Sequence, residues 1–207
     1  MTEISLNQSS NDFLIKEENQ LDWNKVLARL KKTFGNDVYE SWIKNIDLKK
    51  GALYYHFASK QALAYAVLEE YIQVNIIRLW VEPLQNVADP LDAIYDVFAE
   101  RNHSWSDEFF TLGCPLNNLA QEMSPIHEGF RERIEKIFLV WQTALAEALK
   151  KGQEQGSVAK NLNANACALF ILASMEGTLG MAKNQQRKAV YFSCCQELQR
   201  YLNTLRR

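Results

Sequence analysis

Chemistry in this chain is concentrated in residues 49–63, KKGALYYHFASKQAL. Lys49, Lys50 and Lys60 supply ammonium groups, and Tyr54 and Tyr55 supply phenolic hydroxyls, the kinds of donor that reach phosphate oxygens. Leu53 and Phe57 stand four apart, so on a helix they share one face and can anchor it. Tyr54, Tyr55 and His56 then face solvent or a ligand. Gly51 has no side chain, which lets the backbone approach another surface closely. Ser59 is suited to cap a second helix running through Ala62, Leu63 and Val67, and a helix N-terminus adds N–H donors of its own. An exposed, aromatic-rich helix with no ligand has the same spacing. Charge favours the binding reading. Residues 25–60 hold eight basic side chains against three acidic ones, a net +5 within a chain whose total is −2. One basic segment in an acidic protein is an electrostatic footprint for a polyanion.

Enzyme chemistry has no comparable constellation. The sequence has no glycine-rich phosphate loop and no Ser/His/Asp order in a supporting context. His56, His103 and His127 lack metal-ligand spacing. Cys114, Cys167, Cys194 and Cys195 form no C-x-x-C pattern. No catalytic residue, metal or cofactor is therefore expected, and the cysteines suggest a reduced, cytoplasmic setting.

The elements that would position the basic segment read as helices. Of the 207 residues 47% are apolar, with only eight glycines and four prolines, a balance that favours long helices over strands and turns. No run reaches the ~18 apolar residues of a membrane span, and the N-terminus shows no secretory signal. Residues 1–20 are polar and acidic and read as a mobile tail. Trp23, Val26, Leu27, Leu30 and Phe34 mark a first helix ending at Gly35, and Val38, Trp42, Ile43 and Ile46 a second. Residues 51–57 form the third, and Ser59 to about Trp80 a long fourth.

Asp89-Pro90 opens another helix through Leu91, Ile94, Tyr95 and Phe98. Residues 102–113 read as a short aromatic helix or loop. Ser124-Pro125 starts the clearest pattern, Ile126, Phe130, Ile134, Ile137, Trp141, Leu145 and Ala148, ended by Gly152 and Gly156. Asn163 caps a helix whose stripe of Ala166, Phe170, Ala173, Gly177 and Gly180 invites close approach by another helix. A last helix carries Tyr191, Cys194, Leu198, Tyr201 and Leu205. Three parts follow: the tail 1–20, a candidate DNA-binding segment 21–64 and a larger helical domain 65–207.

From Lys49 to the C-terminus the chain resembles TetR-family regulators, on the motif KGALYYHFASKQAL and on GCPLNNLAQEMSP at 113–125, which is similar to one subgroup. The resemblance implies an all-α, TetR-like repressor released from a DNA operator by a small-molecule or electrophile signal. It implies a homodimer formed through residues 125–151 and 164–183, with no membrane partner. By position, Lys49 and Lys50 would start the recognition helix, and Gly51, Ala52 and Tyr54 would approach the major groove. Tyr55, His56 and Lys60 would hold backbone phosphates. Trp80, Phe98, Trp105, Phe110, Trp141 and Met175 are candidates to line an effector pocket, and equally ordinary core residues. Cys114, between Gly113 and Pro115, matches a position where a subgroup of the family senses electrophiles; that role requires an accessible thiol of low pKa.

The N-terminal part departs from the family. Ile46-Asp47-Leu48 stands where a small-residue turn leads into the recognition helix, and the second helix is compressed. LDWNKVLARLKKTFGNDVYESWIKNIDL resembles the first two helices of the N-terminal domain of the replication initiator DnaA, a protein-contact module. Two readings follow: a regulator with a divergent or grafted helix-turn-helix, or a helical interaction dimer with vestigial DNA contacts.

Overall fold

A computed structural model describes residues 59–105 and 107–207. The expected tail and the helical hairpin before Gly51 lie outside the described residues. Every long element among those described is helical, and their one β pairing is a bridge between Val158 and Arg206.

Residues 60–81 form one unbroken helical rod, α1. Ser59 caps it as expected, its hydroxyl accepting from the Ala62 amide at 3.0 Å. Along α1 and the following 3₁₀ turn Glu82–Leu84, the residues Ala64, Leu68, Ile72, Ile76, Trp80 and Leu84 are all buried, each four after the last. A strict step of four winds slowly round a helix of 3.6 residues per turn. The rod corrects this drift with two π-helical stretches, Val67–Ile72 and Ile77–Val81, whose wider turns hold the stripe on one face.

Helix α2 is Pro90–Ser104, and Asp89 caps it by accepting from the amides of Leu91 (2.8 Å) and Asp92 (3.3 Å). Two short helices follow, α3 (Asp107–Leu112) and α4 (Pro115–Met123). The latter corrects the sequence expectation. Pro115 rather than Pro125 opens a helix, its buried face being Leu116, Leu119 and Met123. Ser124 sits at the end of α4, and the long helix α5 begins later, as Glu128–Gln155. Ile126 therefore falls in the connecting turn and is exposed, while Phe130, Ile134, Ile137, Trp141, Leu145 and Ala148 are buried as expected. The helix also runs through Gly152. A Cβ there would lie 2.5 Å from Val158 Cγ2 and 2.6 Å from Pro90 Cγ, so this glycine serves close packing. Gly156, at φ +86°, is the true stop, in the left-handed conformation that glycine adopts freely.

Asn163 caps α6 (Ala164–Gln185), accepting from the Ala166 amide at 3.1 Å. The helix has two apolar faces. Ala168, Ile171, Leu172, Met175, Leu179 and Ala182 are buried, whereas Ala166, Leu169, Phe170, Ala173, Gly177, Gly180 and Met181 are exposed. By length and composition alone α6 could cross a membrane, although its sequence holds no unbroken apolar run of that length. Its neighbours explain the composition differently, because α6 packs between α5 and the last helix, α7 (Lys188–Thr204). Helix α7 buries Tyr191, Cys195, Leu198 and Leu202. Cys194 and Tyr201, expected on that stripe, are only half-buried.

Candidate functional site

Seven of the eight candidate DNA-contacting residues, Lys49, Lys50, Gly51, Ala52, Tyr54, Tyr55 and His56, lie outside the described residues. Lys60 is the first residue of α1. The basic segment thus feeds directly into the rod, and the rod carries Trp80 near its far end.

Trp80 is the hub of an aromatic cluster. Its ring lies 4.9 Å from Trp141, 5.5 Å from Phe98 and 5.7 Å from Trp105. Trp105 continues to Phe110 (5.9 Å), and Phe110 to Tyr191 (4.9 Å), whose hydroxyl donates to the Phe98 carbonyl at 3.0 Å. Five of the seven residues proposed from sequence as effector-facing are therefore one connected set of rings. Phe98 and Met175 also floor a groove of about 360 Å³ between α6 and α7, walled by Phe170, Thr178, Leu198 and Tyr201. Arg101 is buried beside the cluster. Its Nε donates to the Val97 carbonyl, its Nη2 pairs with Glu100 at 2.8 Å, and its guanidinium lies 5.8 Å from the Trp80 ring.

Cys114, the seventh candidate, occupies the position just before α4 and is buried. Burial first, and the Glu176 carboxylate second, push its thiol pKa well above the ordinary value. Reactive cysteines have the opposite surroundings, exposed and electropositive. The low-pKa, accessible thiol that electrophile sensing requires is absent from this conformation.

Glu176 was not foreseen. It is 7% exposed, neither carboxylate oxygen has a hydrogen-bond partner, and burial pushes its pKa up to about 7. The sequence did carry a signal. Between Ala164 and Ala182 it is the only Asp, Glu, Lys or Arg, and it falls on the buried face of α6.

A second polar cluster ties α1 to the start of α5. Gln61 donates to the Tyr65 hydroxyl at 2.8 Å and lies 3.2 Å from His127 Nε2. The Arg133 guanidinium stacks over the Tyr65 ring at 3.8 Å, donates to the Gly129 carbonyl at 3.0 Å and pairs with Glu69 at 2.8 Å. A Cβ on Gly129 would lie 2.2 Å from the Tyr65 hydroxyl, so only glycine lets the ring seat there.

Residues 90–197 match the family model described as the tetracyclin repressor-like C-terminal domain. The HTH-type transcriptional repressor DhaR of Mycobacterium sp. (strain GP1) is 27% identical over 143 residues, covering 69% of this chain and 70% of that protein. An uncharacterized HTH-type transcriptional regulator in the lacX 3' region of Lactococcus lactis subsp. lactis is 31% identical over 144 residues, covering 66% of this chain and 68% of its own. In fold, the chain is similar to a TetR transcriptional regulator from Chloroflexus aurantiacus J-10-FL, with a TM-score of 0.69 at 24% identity over 92% of this chain and 98% of that one. The helical domain, its aromatic interior and the basic segment leading into it thus have one shared setting: the chain belongs to the TetR family and is a DNA-binding transcriptional regulator of that type.

Proposed function

We propose that this regulator binds a palindromic operator as a homodimer and leaves it when a small molecule enters the helical domain. The observation that carries this reading is the continuity of α1. One end follows the basic segment, and the other delivers Trp80 into the centre of the aromatic cluster. A molecule that displaces rings around Trp80 would move the rod, and with it the recognition helix, as a rigid body.

Dimerisation uses the exposed apolar face of α6, in which Gly177 and Gly180 have open space in front of them. Helix α5 adds Leu139 and Val140, and α7 adds Phe192. Two copies place two recognition helices on half-sites ~34 Å apart, one turn of duplex. Lys49, Lys50, Tyr55, His56 and Lys60 hold phosphates, while Gly51, Ala52 and Tyr54 meet the groove. The setting is the cytoplasm, where the operator is. The burial of Cys114 supports a reversible ligand over thiol modification as the signal.

Operators selected from random duplexes by the purified protein provide the test. Lys60→Ala should weaken binding to all selected sequences alike and lower the salt slope by about one unit. Tyr54→Ala should change which sequences are selected. An unchanged slope in Lys60→Ala would remove Lys60 from the interface.

A further inference from the structure

Among the described residues, Glu176 is a buried carboxylate that the fold leaves without a hydrogen-bond partner. A buried carboxylate needs partners, because moving it from water to an apolar interior is costly unless hydrogen bonds or an opposite charge replace the water. Neither oxygen of Glu176 has a hydrogen-bond partner, although the side chain is almost wholly enclosed. The polar groups that could answer it have other partners. The Asn117 amide donates to the backbone carbonyl of Glu176 at 3.4 Å, not to its carboxylate. Lys183, two turns along α6, donates to Asn118 at 2.7 Å. Arg101, a buried base, is held by Val97 and Glu100. Among the described residues the Cys114 thiol lies against the carboxylate, and a thiol is only a weak donor.

We propose that Glu176 recognises the amino group of a small, mostly apolar amine that enters the helical domain, with the ammonium donating to both carboxylate oxygens. This rests on the effector reading given above and names the chemical class of the effector. Charge selects the class. An ammonium converts a lone buried carboxylate into a hydrogen-bonded ion pair, an alcohol supplies one neutral donor, and a carboxylic acid is repelled. The apolar body of the amine would lie in the buried interior beside Cys114, where α3 packs against α6. Met175 precedes Glu176 on α6, and Phe110 lies four residues before Cys114 on α3.

The test uses the full chain and three probes of similar shape: phenethylamine, 2-phenylethanol and 3-phenylpropionate. Binding is followed by titration calorimetry at pH 8. Phenethylamine should bind wild type at least ~10-fold tighter than 2-phenylethanol, as a charge-assisted pair implies, and 3-phenylpropionate should bind weakest. Glu176→Gln should erase the preference for the amine while keeping the alcohol within ~3-fold. Glu176→Met, checked for folding by circular dichroism, should lose it as well. The proposal is overturned if amine and alcohol bind wild type alike, if Glu176→Gln keeps the preference, or if the amine does not bind. The first result would leave the carboxylate satisfied by internal water alone.

Operator release is measured on the same samples. If the alcohol releases DNA with no amine preference, the effector reading stands and the Glu176 assignment falls. If the amine binds through Glu176 without changing operator affinity, the site stands and the release reading falls.

Discussion

Glu176 shows how a single side chain sets a pH dependence. Its folded pKa, raised to about 7, exceeds the ordinary 4.5, so the folded protein holds this proton more tightly than the unfolded chain does. Near pH 4.5 and below, the group costs little. Between that value and 7 the unfolded state loses its proton first, so stability falls as pH rises, and the full penalty persists above 7. Glu176→Gln should therefore stabilise the protein at pH 8 by up to roughly 3 kcal/mol, and by much less at pH 5. Urea denaturation of both proteins at the two pH values measures this, and a variant weaker than wild type at pH 8 contradicts it. Cys114 gives a second prediction at this scale. Iodoacetamide on the native protein should modify half-buried Cys167 and Cys194 well before Cys114, as followed by peptide mass spectrometry. Fast labelling of Cys114 would restore the thiol-sensor reading. The sequence places Cys114 beside Gly113 and Pro115, but nothing local reveals that a carboxylate from α6, sixty-two residues later, lies against it.

Among the elements, α1 was legible in its cap and extent but not in its π-helical stretches. Ser59 and the apolar run beyond it announce a long helix, and the exact four-residue repeat from Ala64 to Leu84 already conflicts with a uniform α-helix. The π turns resolve that conflict. The caps at Asp89 and Asn163 were readable because a short acceptor side chain stood just ahead of each helix. The start of α5 was not, since Ser124-Pro125 has the composition of a helix opening but terminates α4 instead. Gly152 misled for a related reason. A glycine signals a stop or a close contact, and only the neighbours, here Pro90 and Val158, decide which. Gly129 is another such contact, and it joins two elements. Gly129→Ala should push Tyr65 off its seat under Arg133 and destabilise the domain by about 1–3 kcal/mol. Adding Tyr65→Phe removes the hydroxyl that the new methyl would strike and should recover part of the loss. Thermal melting of the single and double variants decides the matter; an unchanged midpoint in Gly129→Ala would show that this contact does not hold α1 against α5.

For the whole molecule, the parts form a lever with one anchored end. The C-terminus is tied down, Arg206 pairing with Asp89 at 2.5 Å and with Asp92 while the Ala159 amide donates to the Leu205 carbonyl at 2.9 Å. Burial by itself would raise the Asp89 pKa, but Arg206 and the α2 amides outweigh it and hold that carboxyl below its usual range. The anchored bundle surrounds Trp80, and α1 leads from there to the basic segment. The family and the helical architecture were legible from KGALYYHFASKQAL and the helix periodicities. The ring cluster was only partly so, because periodicity identifies a buried aromatic without naming its partners. The most direct test is a footprint of the purified protein on a selected operator, with the bound mass measured by analytical ultracentrifugation. Two protected half-sites about one helical turn apart and two chains per site are expected. A single chain per site, or no discrete protection, would contradict homodimeric operator binding.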